Sequence, residues 1–183
     1  MLPVPQLGLV NGWLLVVVFY AVFGALLLLF PRPVVARLYD RTGQRLSSLR
    51  VFGLVAFAVW LLLTVITPIR IRDAAFLVGF ALYVSGFAGF VAALFTFAAT
   101  PGHRPIVTGL YRVSRHPQNF ALWLSFLGIS IAMGSWLAIF LVSIGFVSVH
   151  YTKVLPEERA CLQAYGASYR EYMDRVPRYF LFF

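Results

Sequence analysis

Five apolar runs separated by short polar stretches constrain this chain more than any other feature. Residues 9–30 carry no charged group and one strongly polar side chain, Asn11. As a helix that run would be about 33 Å long, enough to cross the hydrocarbon core of a bilayer. Pro31 and Pro33 end it, because proline lacks an amide hydrogen and blocks helix continuation. Residues 51–69 and 74–99 are further runs of spanning length, joined through Arg70, Arg72 and Asp73. Residues 118–133 and 135–151 are shorter. The Gly134–Ser135 junction between them predicts a tight helical hairpin, tilted or shielded by protein.

Composition agrees with a chain that lives in lipid. Hydrophobic residues make up 61% and charged residues 11%, against about 25% charged in soluble domains. The formal charge of +9 does not indicate nucleic acid, since no polar domain is available to carry a basic groove. The basic residues fall between apolar runs instead. Of the 15 Lys and Arg residues, only Arg70 and Arg72 lie in the even-numbered connections. The positive-inside rule then places the N-terminus outside and the C-terminal tail in the cytoplasm. Residues 1–8 contain no Lys or Arg, unlike the start of a secretory signal, so the first run is expected to remain as a span.

The expected fold class is an all-α integral membrane protein of about five transmembrane helices, the last two a tight hairpin, with a C-terminal amphipathic helix. The chain reads as one domain, 1–183, with three N-terminal spans in 1–99 and the remaining elements in 100–183. In the third run Ala81, Ser85, Gly89 and Ala93 recur every fourth residue, a stripe that lets a neighbouring helix approach closely. Gly79, Gly86 and Gly89 do not form a nucleotide loop, which would have to follow a strand. Leu162, Tyr165, Tyr169, Tyr172 and Met173 recur at helical spacing, which predicts an amphipathic helix on the membrane surface.

The chemistry concentrates in two places. Residues 109–117 read G-L-Y-R-V-S-R-H-P, a basic and aromatic nonapeptide just before the hairpin. Glu157 and Glu158, the only adjacent carboxylates, follow it. A hairpin with two similar arms returns the chain near its starting point, so Arg112, Arg115 and His116 should meet the two acids at one membrane face. Ionisable groups at a membrane are costly and point to function. Arg or His can hold a carboxylate and Glu an ammonium, so the combined pocket suits a zwitterion. Pro117 fixes the backbone as it enters the helix.

Other chemistries lack their signatures. Three His and one Cys show no metal-ligand spacing. No G-x-S-x-G elbow is present for a serine hydrolase. His103 and His150 read as interfacial or structural, and the lone Cys161 can form no intrachain disulfide.

The nonapeptide, the short hairpin and the tail P-E-E-R-A-C-L-Q-A-Y-G-A-S-Y-R-E-Y-M-D-R-V-P-R-Y together resemble the isoprenylcysteine carboxyl methyltransferase family. That family is related to phospholipid N-methyltransferases. The resemblance covers roughly residues 102–180, under half of the chain. It implies S-adenosyl-L-methionine (SAM) binding in a cytoplasmic pocket closed by the C-terminal segment, and a lipid-like or hydrophobic acceptor arriving between helices. Ile106, Val107 and Gly109 would offer backbone contacts, and Tyr111 would wall the pocket. His116, with Pro117 and Asn119 behind it, would engage the cofactor. Arg115 would face the methionyl end or the substrate. Glu157 or Glu158 would hold the cofactor's ammonium, and Arg178 would face the acceptor. Two positions depart from the family pattern: Asn119 stands where Tyr is usual, and Ala121 where a small residue such as Gly is usual.

Two other readings are compatible with the residues. R-H-P with C-L-Q-A-Y-G and Y-M-D-R-V-P is similar to NADPH-dependent sterol reductases, which have more spans than this chain provides. A non-catalytic membrane protein would use the small-residue stripe equally well.

Overall fold

The computed structural model describes residues 6–39, 47–102 and 104–180. Asp40, Arg41 and Arg45 of the first polar connection and His103 of the third lie outside these ranges. The described residues form helices α1 (Trp13–Leu29), α2 (Arg32–Leu38), α3 (Ser48–Ile66), α4 (Ala74–Ala99), α5 (Pro117–Ala132), α6 (Trp136–Val149), α7 (Leu155–Tyr165) and α8 (Ala167–Arg175). A single 3₁₀ turn covers Gly109–Arg112, and a π-helical turn covers His150–Val154.

Helix starts follow the local residues. Ser47 caps α3 by accepting the Arg50 amide at 3.3 Å, and Ser135 caps α6 by accepting the Ala138 amide at 3.2 Å. Pro117 opens α5 at a position where no amide hydrogen is needed. The first apolar run begins its helix only at Trp13. Asn11 is buried ahead of it, donating to the carbonyls of Gln6 at 2.6 Å and Val65 at 2.7 Å. The single polar side chain of that run thus ties the start of α1 to the end of α3.

Among the described residues three helices are long and apolar enough to cross a membrane: α3, α4 and the rod Trp136–Tyr165. Leu62, Leu77 and Phe140 project outward and are exposed, as lipid-facing side chains would be. The shorter α1 is apolar over 17 residues. Helices α5 and α6 form the expected hairpin, turned at Gly134 with φ of +64°.

The core is aromatic. Phe126 on α5 packs against Trp60 at 4.8 Å and Phe19 at 5.4 Å between ring centroids, and Phe57 stacks on Trp60. Trp60 is fully buried, and its indole Nε1 donates to Ser130 Oγ at 2.8 Å, so no polar atom there is left without a partner.

Helix α4 packs along α5 through only the second half of the stripe expected from spacing, where Gly89 faces Ala121 and Ala93 is buried. Ala81 and Ser85 are exposed. The contact face is Gly79, Tyr83, Gly86, Phe90 and Ala93, a seven-residue repeat. A Cβ on Gly79 would lie 2.4 Å from the Ala132 amide nitrogen, and one on Gly128 would lie 2.5 Å from the Gly79 carbonyl. The two backbones therefore touch, the close approach that small residues permit in membranes. Spacing alone marked that face only in part, because every helix of this composition offers several small-residue rows.

The C-terminal part also differs from expectation. Helix α6 does not stop near residue 151 but passes through the π turn into α7 as one rod. The break comes at Gly166, with φ of +56°, a region that favours glycine. The face marked by Leu162, Tyr165, Tyr169, Tyr172 and Met173 exists. It packs with Val176 and Cys161 into a second small core instead of lying free.

Candidate functional site

The nonapeptide is held in place at both ends. Gly109 adopts φ of +56°, and a Cβ there would lie 2.5 Å from Thr96 Oγ1 on α4, so glycine alone fits this turn. Residues 114–116 then pair with residues 176–180, the C-terminal strap that follows α8. The Arg115 amide donates to the Pro177 carbonyl at 3.0 Å, the His116 amide to Arg178 at 3.3 Å, and Ser114 Oγ also to the Arg178 carbonyl at 2.9 Å. Tyr172 on α8 donates its hydroxyl to the Tyr111 carbonyl at 2.7 Å. The strap and α8 are thus stitched across the loop that precedes α5.

This assembly brings the two polar clusters together, as the hairpin argument required. His116 Nε2 lies 3.3 Å from Glu158 Oε1, and His116 Nδ1 lies 4.0 Å from Glu157 Oε2. Arg178 grips Glu158 with two nitrogens: Nη2 to Oε2 at 2.8 Å, and Nε to both carboxylate oxygens at 3.1 and 3.2 Å. Arg115 Nε stands 3.0 Å from Glu158 Oε1 but off the line a hydrogen bond requires. That contact is ionic only, and the directed bond of Arg115 runs from Nη1 to the Met173 carbonyl at 2.8 Å. The Glu158 side chain is 5% exposed.

The two acids have different surroundings. Glu158 is enclosed by cations, while Glu157 is half exposed and lines a cavity of about 320 Å³. That volume is near the lower end of small-molecule sites. Tyr111, Tyr165, Tyr169 and Tyr172 form aromatic walls, and Ala160, Cys161 and Ala164 form a small-residue side on α7. Arg115, His116 and Lys153 contribute the polar side beside Glu157. Burial pushes the phenols of Tyr111, Tyr169 and Tyr172 upward, so they remain neutral donors and do not act as bases. The hydrogen bond to Glu158 raises Arg178 further, which keeps it a fixed cation.

The residues singled out from the sequence divide accordingly. Ile106, Tyr111, Arg115, His116 and Glu157 line the cavity. Glu158 and Arg178 form the ion cluster beside it. Gly109 and Pro117 shape the backbone. Val107 is exposed, and Asn119 accepts a hydrogen bond from Lys153 Nζ at 3.2 Å. Arg112 is exposed and makes no contact with the two acids. His150 lies outside the cavity, its Nδ1 3.2 Å from the Tyr179 hydroxyl on the strap.

Several wall residues carried no signal in the sequence. Arg37 reaches over from α2, stacks 4.2 Å above Phe97 and donates to the carbonyls of Thr100 at 2.7 Å and of Phe97. It thereby satisfies the C-terminal carbonyls of α4. As one of five arginines in its loop it looked no different from the others. Gln118 Nε2 is buried at the cavity without a partner, an amide donor free for a ligand.

Among the described residues these observations define an all-helical protein with three helices long and apolar enough to cross a membrane and a half-open cavity of mixed polar and apolar lining at one end of the bundle. Residues 97–168 match the family model described as phospholipid methyltransferase, the family of membrane methyltransferases to which the motif resemblance pointed. The matched region runs from the end of α4 through the loop, the hairpin and α7 to the start of α8. It contains the nonapeptide, the π turn and both acids, while Tyr169, Tyr172 and Arg178 lie beyond it.

Proposed function

We propose that this protein is a SAM-dependent membrane methyltransferase acting on a lipid-like or hydrophobic acceptor, a class that includes a prenylcysteine-type carboxylate. The observation that carries this reading is the cavity walled by tyrosines, in which the half-exposed Glu157 stands beside His116. The family match over 97–168 supports the reaction class. The orphaned Gln118 amide and the charge of Glu157 fit a ligand with both polar and cationic groups. In this reading the N-terminus lies outside and the cavity faces the cytoplasm.

SAM, when bound, supplies an electrophilic methyl group on a sulfonium. Methyl transfer is an in-line displacement, so the protein chiefly has to align its two ligands. Glu157 takes the ammonium group, since Glu158 is already neutralised by Arg178 and Arg115. Glu158 acts as a positioning residue that fixes Arg115, His116 and the strap around the cavity. The backbone at Ile106 frames the loop side with Val107 and Gly109 behind it, and the tyrosines supply the aromatic walls. A carboxylate acceptor needs orientation but no proton removal, whereas an amine acceptor would require a base.

The test is binding and turnover on the purified full chain in detergent. Calorimetry should show SAM binding in the micromolar range, and labelled methyl groups should appear in a hydrophobic acceptor fraction. A folded protein that binds no SAM overturns the reading. A melting temperature raised by NADPH and not by SAM would move it to the reductase class.

A further inference from the structure

Lys153 and Glu157 are four residues apart on one rod and line the same cavity. On a regular α-helix a Lys and a Glu at this spacing are neighbours and pair. Here they do not. Among the described residues no carboxylate lies within 4.0 Å of the Lys153 ammonium. Lys153 lies in the π turn that directly precedes α7. Lys153 reaches toward α5, where among the described residues its side-chain partner is the neutral amide of Asn119 at 3.2 Å. A half-buried ammonium is left at the cavity without a counter-charge among the described residues, and Glu157 lines the same cavity unpaired by it.

The other cations at the cavity are already engaged. Arg115 and Arg178 serve Glu158, and Arg37 caps α4. Arg104 is exposed to solvent. We infer that Lys153, held by Asn119, is the specificity-determining residue for the carboxylate of an α-amino-acid group in the ligand, with Glu157 on its ammonium. This inference rests on the methyltransferase reading of the same cavity, and it assigns the carboxylate end to Lys153 instead of to the arginines or His116. The two opposite charges are then left for a zwitterion to bridge.

The assignment predicts a coupling between one protein group and one ligand group. Binding of SAM and of decarboxylated SAM is measured by calorimetry on the full chain and on Lys153→Met, Lys153→Arg and Arg104→Ala. The unaltered protein should prefer SAM by about tenfold or more, as expected for a charge-assisted hydrogen bond. Lys153→Met should abolish that preference by weakening SAM alone, and Lys153→Arg should retain most of it. Equal weakening of both ligands by Lys153→Met, no weakening of either, or selective loss in Arg104→Ala instead would each overturn the assignment. If Lys153→Met lowers the melting temperature, Lys153→Gln carries the same comparison. An unaltered protein that binds neither ligand overturns the methyltransferase reading itself, a pattern distinct from all of these.

Discussion

Arg178 meets Glu158 side-on, with two nitrogens on two oxygens, and so fastens the C-terminal strap to the rod that contains α6 and α7. The strap returns the favour through its backbone, accepting amides from Arg115 and His116. One carboxylate therefore joins three segments that are distant along the chain.

Replacing that carboxylate should loosen all three. Glu158→Gln leaves the Arg115 guanidinium buried without its counter-charge, and removal of one member of a buried ion cluster costs about 3–5 kcal/mol. Arg178→Lys should lose less than Arg178→Ala but not recover the native value, because an ammonium cannot match the two-pronged geometry. Thermal unfolding in detergent checks both.

Glu157→Gln should behave in the opposite way. Its side chain is half exposed and forms no tight bond, so the melting temperature should stay within error of the native protein. SAM binding should weaken by about tenfold or more, the value of a charge-assisted contact to an ammonium. A stable protein with weakened binding, next to an unstable Glu158→Gln, would separate the roles of the two acids.

The seam between α4 and α5 gives a packing prediction. Gly79→Ala would force a Cβ to within 2.4 Å of the backbone of α5 and should cost about 1–3 kcal/mol. Gly89→Ala is its control, since a Cβ there meets only Ala121 Cβ at an ordinary 3.5 Å. Comparing the two melting temperatures tests whether the contact face is the one described.

Alkaline pH should unfold the C-terminal part first. Burial raises the phenols of Tyr169, Tyr172 and Tyr179 above their usual value. The unfolded chain ionises these groups near pH 10, before the folded chain does. Stability from this source is full below about pH 10 and falls as pH rises beyond it. Melting temperatures from pH 8 to 11 should show that decline, and it should flatten in a Tyr169→Phe, Tyr172→Phe double variant.

Much of this arrangement was legible in the residues. The apolar runs located the helices, Gly134 located the hairpin turn, and the return of that hairpin brought His116 to the acids. The amphipathic face from Leu162 to Met173 was also correct as a face. Its partner was not legible, because periodicity tells which side is apolar and not what covers it. The π turn was invisible for a related reason: nothing in H-Y-T-K-V distinguishes a widened turn from an ordinary one. Nor could the sequence separate Glu157 from Glu158, since adjacent helical residues point about 100° apart and only the fold decides which faces the cavity.

The touching backbones of α4 and α5 limit how a greasy molecule could travel. At Gly79, Gly86 and Gly128 there is no room for even one added carbon, so an acyl or prenyl tail has no passage along that seam. A substrate diffusing in the plane of the lipid would have to come in from another quarter of the bundle, and the tightest-packed pair of helices would serve as the back wall of its route.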